Sequence, residues 1–220
     1  MPIPFLGLTG PTGAGKTTAA RILEALGCAV IDCDALAREV VLPGSPVLAR
    51  LAARFGGDIL CKGEILDRAL LAERAFASEK ARQDLNSITH PAITNLALQR
   101  AKALQGKQHV KAIAFDAAAL PESELAALCG HILIITAPED LRLRRILARD
   151  GITEAAARRR VEAQRQADYR PPPGVGHTII DTTEGEAALR HALEKALCAL
   201  VGGPGDAPGG GAPAAVPPRA

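Results

Sequence analysis

The chain has 220 residues, 48% hydrophobic but only 2% aromatic, so a single domain-sized core must be filled by Leu, Ala, Val and Ile rather than by rings. A formal net charge of +2 argues against a duplex-binding surface and so against nucleic acid as a partner; the basic excess is confined to an arginine cluster between Arg142 and Arg165. The five cysteines, at 28, 33, 61, 129 and 198, form no C-x-x-C pair and have no His at metal spacing, which leaves them as small apolar residues of a reducing compartment.

The apolar run from Ile3 to Leu8 reads as a strand over Phe5–Leu8. It has none of the basic, apolar and cleavage regions of a secretory leader, and no apolar run approaches the ~20 residues of a membrane span. The expectation is a soluble, cytoplasmic protein; composition leaves the oligomeric state open, with a monomer favoured. Gly10-Pro11-Thr12-Gly13-Ala14-Gly15-Lys16-Thr17 follows at once and is a complete G-x-x-x-x-G-K-[ST] phosphate loop. Its glycines let successive backbone N–H groups turn toward phosphate oxygens, and the next helix adds its positive end. In such a loop Lys16 reaches the β- and γ-phosphates of a nucleoside triphosphate, and the Thr17 hydroxyl ligates Mg2+. A glycine-rich turn with an accidental lysine is disfavoured by the strand before it and the helix after it.

Lys16–Leu26 reads as that helix, with Gly27 as its stop, and Ala29–Asp32 as the second strand. In Val-Ile-Asp-Cys-Asp, Asp32 and Asp34 would point in opposite directions if the strand continued, so one of them is structural. Asp34 either accepts the proton of an attacking hydroxyl or caps a helix over Ala35–Val41, and spacing leaves the two equally matched. From Asp34 to Gly106 the pattern is helical with no convincing strand, which predicts an insert forming a second binding surface.

Val110–Phe115 reads as the next strand and ends in Asp116. An apolar strand closed by Asp is the pattern of a Walker B element, which holds Mg2+ or its water shell; the alternative is a polar residue that simply ends a strand. Ile132–Thr136 and Thr178–Ile180 complete a set of five strands alternating with helices, the signature of an α/β fold with a parallel sheet. Between those two strands, Arg142, Arg144, Arg145 and Arg149 precede the turn at Asp150-Gly151, and Arg158, Arg159, Arg160 and Arg165 follow it. Arg142, Arg145 and Arg149 share a helix face and Arg144 points elsewhere. Two such helices suggest a lid that closes over a triphosphate and excludes water; the plainer alternative is a solvated basic face paired with Glu139, Asp140 and Glu162. From Gly202 to Ala220 the composition of Gly, Pro and Ala predicts a disordered tail.

Several stretches resemble the dephospho-coenzyme A kinase family. They are Gly7-Leu8-Thr9-Gly10 before the loop lysine, Val30-Ile31-Asp32-Cys33-Asp34-Ala35-Leu36-Ala37-Arg38, Gly63-Glu64-Ile65-Leu66-Asp67-Arg68, and Leu85-Asn86-Ser87-Ile88-Thr89-His90-Pro91-Ala92-Ile93. The resemblance extends to about Asp181 and implies transfer of the γ-phosphate of ATP to the ribose 3′-hydroxyl of dephospho-coenzyme A, with Mg2+ as cofactor. It implies a P-loop kinase with a five-stranded parallel sheet: a core of 1–33 and 107–201, a coenzyme A-binding helical insert of about 34–106 and a helical lid of about 138–166.

By resemblance, Gly13, Ala14, Gly15, Lys16, Thr17, Thr18, Arg149 and Gln164 are implied to bind nucleotide, and Asp67, Arg68, His90, Asp116 and Glu122 the acceptor. Asp34 is implied as general base, Lys16 and Arg145 as the other catalytic groups, and Thr17, with Asp116 through water, as the Mg2+ holder. One segment departs from the family's D-x-P-L-L-F-E pattern: Asp116-Ala117-Ala118-Ala119-Leu120-Pro121-Glu122 keeps the acidic ends but thins the bulky residues to alanine, which bears on pocket shape. Glu122 is expected to orient a lid arginine or the acceptor. Two other functions fit the loop alone: a kinase for another small acceptor, such as a nucleoside monophosphate or sugar acid, and a nucleotide-dependent switch.

Overall fold

The computed structural model describes residues 2–62, 64–164 and 169–201. Expectations for Gly63, Arg165, the end of the proposed lid and the 202–220 tail concern residues outside that description. The chain runs β1 (Phe5–Thr9), α1 (Lys16–Ala25), β2 (Cys28–Asp32), α2 (Cys33–Glu39), α3 (Pro46–Phe55), β3 (Leu60–Cys61), β4 (Ile65–Leu66), α4 (Arg68–Ala75) and α5 (Glu79–Leu104). It continues through β5 (Ala112–Asp116), α6 (Glu124–Leu128), β6 (His131–Thr136), α7 (Glu139–Asp150), α8 (Glu154–Ala163), β7 (Gly176–Asp181) and α9 (Glu186–Val201), with a 3-10 turn at Leu120–Glu122.

The five expected strands form one parallel sheet in the order β2-β5-β1-β6-β7. Its central strands β5, β1 and β6 are covered on both faces, and their side chains separate by the two-residue period, whereas the edge strand β7 leaves Ile179 exposed. Leu6, Leu8, Ala112, Ala114, Leu133 and Ile135 pack toward Ile22 and Leu23 of α1 and Leu189, Leu193 and Leu197 of α9. Ile31, Ile113, Phe115, Ile132 and Ile134 face the other way, toward Ala97 and Ala101 of α5 and Leu125 of α6. Two of the few rings, Phe5 and Phe115, meet on this face at 5.1 Å with a 60° tilt.

The segment between β2 and β5 is helical but not wholly so. A two-stranded antiparallel hairpin, β3 with β4, pairs Leu60 with Leu66 and Cys61 with Ile65, where no strand was expected. This segment has its own core of Val47, Leu48, Leu51, Phe55, Ile59 and Leu71. Helix α5 joins that core to the sheet: Ala81 and Ile88 belong to the small core, Ala97 and Ala101 to the main one. Its 26 residues carry Pro91 in the interior, whose missing N–H and ring bulk mark the changeover between the two cores.

Helix α2 corrects the expected start at Ala35. It begins at Cys33, directly on the end of β2, because the Asp32 side chain accepts the N–H of Ala35 and so caps it. Asp34 is thereby a first-turn residue and not the cap. Among the cysteines, Cys28, Cys33 and Cys129 are buried and Cys61 and Cys198 are exposed, all free; burial pushes the Cys33 and Cys129 thiols up to about 12.

Truncating the fully buried Phe115 to alanine should lower unfolding free energy by about 3–5 kcal/mol, since it empties the layer between sheet and helices. Urea denaturation followed by circular dichroism measures the change; a loss under about 1 kcal/mol would mean that layer closes over the cavity.

Candidate active site

Parallel strands order the site before any side chain is considered, because their carboxyl ends all open on one edge of the sheet. Leu8 pairs with Asp116 and Asp32 also pairs with Asp116, so the ends of β1, β2 and β5 lie side by side. Between β1 and α1 the phosphate loop passes through positive φ at Gly10 (144°), Gly13 (78°) and Gly15 (102°). Gly15 stands at the N-cap of α1 in the left-handed region with no side chain capping the helix, so the first-turn amides are available to an anion. The loop borders a cleft of about 1230 Å³, whose walls include Lys16, Thr17, Thr18, Asp32, Asp34, Arg38, Asp116, Arg145, Arg149, Gln164 and Thr182.

At the centre the Lys16 ammonium pairs with Asp116 Oδ1, and Asp34 Oδ2 lies 3.9 Å from the same Nζ. Asp116 is only 11% exposed at its side chain, whereas Asp34 is 52% exposed. Burial raises the Asp116 pKa, and the Lys16 hydrogen bond and charge pull it back. Both Asp32 and Asp34 border the cleft, but the Asp32 carboxylate is engaged as a helix cap whereas that of Asp34 approaches Lys16. Thr17 and Asp116 supply a hydroxyl and a carboxylate, hard oxygen donors of the kind Mg2+ takes in small number beside substrate oxygens. Among the described residues no group of three or more His, Cys, Asp or Glu forms a protein-only metal cage.

The expected arginine face divides. Arg142 Nε donates to Thr12 O at 2.9 Å. Arg145 Nη1 donates to Gly13 O and Ala14 O, both at 3.3 Å, and to Thr182 Oγ1 at 2.7 Å, while its Nη2 donates to Thr182 O at 3.0 Å. Arg149 instead forks onto Asp150, at 2.6 and 3.0 Å, and Arg160 joins the same carboxylate at 2.6 Å. Arg144 points elsewhere as expected and pairs with Asp140; Arg158 pairs with Glu154. Helices α7 and α8 meet through Ile146, Ala157 and Val161, with Gly151 in the left-handed region between them.

Gln164 lies against the loop: its Oε1 accepts the Thr12 N–H at 2.8 Å.

The remaining acceptor candidates stand outside the cleft walls. Asp67 caps α4, accepting the N–H groups of Ala69 and Leu70 at 3.0 Å, and Arg68 Nη2 donates to Arg38 O at 3.5 Å. His90 is half-buried on α5, where burial pushes its pKa down and neighbouring Glu122 and Glu124 resist the shift. Glu122 pairs with Arg82 of α5 at 3.1 Å, in place of the lid arginine that was one of its two expected partners. In the alanine-rich segment Leu120 is fully buried beneath β1, and of its three alanines Ala118 borders the cleft.

Sequence reasoning placed Thr12 in the phosphate loop and Arg142 on the lid face but assigned no contact to either, nor to Thr182. Thr182 is buried one residue past β7, and its hydroxyl donates to Ala14 O at 2.8 Å. A hydroxyl at the carboxyl end of a parallel strand was the available signal.

The coupling of Lys16 to Asp116 is open to titration. Replacing Lys16 by Met removes the group that lowers the Asp116 pKa, so the carboxyl should titrate at higher pH than in the parent by carbon-13 NMR. A raised native pKa makes Asp116 favour folding at pH below the ordinary carboxylate range, a contribution lost as pH rises through that native value. An unchanged midpoint would mean the pair is not formed in solution.

Comparison with known proteins follows the same outline. The family model described as dephospho-CoA kinase matches residues 4–180. A dephospho-CoA kinase of Syntrophotalea carbinolica is 42% identical over 165 residues, 75% of this chain and 78% of the relative. One of Anaeromyxobacter dehalogenans is 36% identical over 200 residues, covering 91% and 93%. Among solved structures, the protein TT1252 of Thermus thermophilus matches with a TM-score of 0.68 at 25% identity, over 89% of this chain and 96% of that one. Dephospho-CoA kinase from Campylobacter jejuni matches with a TM-score of 0.54 at 25% identity, over 91% and 98%.

Proposed function

Because the chain belongs to the dephospho-CoA kinase family, we propose that its cleft transfers the γ-phosphate of ATP to the ribose 3′-hydroxyl of dephospho-CoA, the last step of coenzyme A synthesis. The observation that carries the mechanism is the pairing of a phosphate-loop lysine with an open aspartate on the far wall: Asp34 Oδ2 stands 3.9 Å from Lys16 Nζ. A hydroxyl held by that carboxylate beside a γ-phosphate bound to Lys16 would be placed to attack the phosphorus.

The acceptor oxygen forms a bond to the γ-phosphorus as the bond to the β–γ bridging oxygen breaks, and the hydroxyl proton passes to Asp34. ADP leaves with the electrons of the broken bond. Loop amides, Lys16 and Thr18 hold the triphosphate, and Arg145, seated against Gly13 and Ala14, adds positive potential beside the moving phosphoryl group. Thr17, with Asp116 behind it, would hold Mg2+, which when bound neutralises charge on the β- and γ-phosphates. Arg149, on the cleft wall but now paired to Asp150, is assigned to nucleotide once that pair opens.

The acceptor side is assigned to the helical segment 34–106, with Arg38 bordering the cleft and held at its carbonyl by Arg68. Asp67 and His90 of that segment, with Glu122 beyond it, are assigned to the acceptor by resemblance to the family, from positions outside the cleft walls. Among the described residues no helix is long and apolar enough to cross a membrane.

Asp34→Asn should lower kcat by about a hundred-fold or more with little change in either KM, the signature of a lost base. Near-parental kcat in a folded Asp34→Asn protein would remove Asp34 from the reaction. With the parent protein and an acceptor panel, coupled ADP release should be fast only with dephospho-CoA; fast turnover of a nucleoside monophosphate or sugar acid would replace this acceptor.

A further inference from the structure

Thr12 is held from both sides by the helical hairpin of α7 and α8, and nothing in the phosphate-loop pattern asks for it. Its N–H is donated to Gln164 Oε1 at 2.8 Å, from the end of α8, and its carbonyl accepts from Arg142 Nε at 2.9 Å, from the start of α7. The two partners stand 152 and 130 residues away in sequence. The contact is close along the backbone as well. A Cβ on Gly13 would lie 2.7 Å from the Arg142 carbonyl oxygen and 3.0 Å from its Cα, so α7 rests directly on the loop at a residue without a side chain. Arg142 Nη2 is buried and has no hydrogen-bond partner among the described residues, while Nε is bonded to Thr12 O.

We propose that Arg142 and Gln164 are positioning residues for the nucleotide: by holding both polar groups of Thr12 they preset the peptide that turns the Gly13 N–H toward the phosphates. In a trans peptide the C=O of one residue and the N–H of the next point in opposite directions. With the Thr12 carbonyl drawn outward by Arg142, the Gly13 N–H is turned inward. Arg145 and Thr182 do the same for the following carbonyls, of which Ala14 O receives both. The loop dipoles are therefore aimed before any anion arrives, and little reorganisation is left to binding. Gly13 serves the approach of α7, not only the curvature of the loop.

The proposal rests on the kinase reading of the cleft, but its test needs no acceptor. Calorimetric titration of ATP and of ADP into Arg142→Ala and Gln164→Ala should show each weakened about ten-fold, the loss expected when a hydrogen bond that orients a charged-ligand donor is removed. Arg142→Lys should recover part of that loss, Gly13→Ala should show the same defect by pushing α7 off the loop, and the Arg142→Ala, Gln164→Ala double variant should lose less than the product of the two. In steady state the loss should fall on KM for ATP and leave KM for dephospho-CoA unchanged. Nucleotide affinities within about two-fold of the parent in folded Gln164→Ala would overturn the proposal, as would a defect confined to the acceptor's KM. If Arg142→Ala does not fold, the α8 variant carries the test alone. A parent that binds ATP but does not phosphorylate dephospho-CoA would sink the functional reading and leave this one standing.

Discussion

The phosphate loop takes its shape because the backbone turns through positive φ at Gly10, Gly13 and Gly15, and each glycine answers to a different neighbour. At Gly10 a Cβ would lie 2.2 Å from the Ile135 carbonyl, so the loop can leave β1 only by lying against β6. At Gly13 the neighbour is the backbone of α7, and at Gly15 the constraint is the left-handed entry into α1. The sheet, the arginine hairpin and the first helix therefore all bear on one short run of backbone. A side chain at Gly10 or Gly13 would force β6 or α7 to move, and the amides would lose their aim with it.

The same economy places the acceptor side. Asp32 ends β2 and caps α2 in one residue, so α2 leaves the sheet without a loop and its first turn delivers Asp34 to the cleft. Helix α2 packs on α5 and is tied to it by Glu39 with Arg100, and α5 in turn carries the separate core of the helical segment. A displacement of that segment relative to the sheet would be felt first at α2, the element that holds Asp34. The positions of Asp34 and of the helical segment are thus coupled through two packed helices and not through a flexible linker.

Much of this was legible because it is local. Apolar runs closed by Thr or Asp marked all five parallel strands, and the glycine spacing marked the loop. The hairpin of β3 and β4 escaped because two residues per strand carry no period. Asp32 and Asp34 are both good caps, and only the start of α2 at Cys33 distinguishes them. The rest depends on partners that no sequence pattern links: Glu122 finds Arg82, Thr12 finds Gln164 and Arg142, and Arg149 turns to Asp150 next to it while Arg145 reaches across to the loop. Helical spacing put Arg142, Arg145 and Arg149 on one face correctly enough, but a face is shared by every surface it crosses, and here it crosses two.

Lys16 has a second role that complicates its obvious one. Asp116 lies almost out of solvent, and the ammonium of Lys16 is the group that offsets the cost of that burial. Removing the lysine leaves a buried carboxylate alone, a change that costs about 3–5 kcal/mol in comparable pairs unless the carboxyl takes up a proton. Loss of activity on truncating Lys16 alone therefore mixes the lost phosphate contact with a neutralised or displaced Asp116. The two are separated by removing both charges together: with Asn at 116 the buried carboxylate is gone, and what Lys16 truncation then costs is the share that belongs to the phosphate.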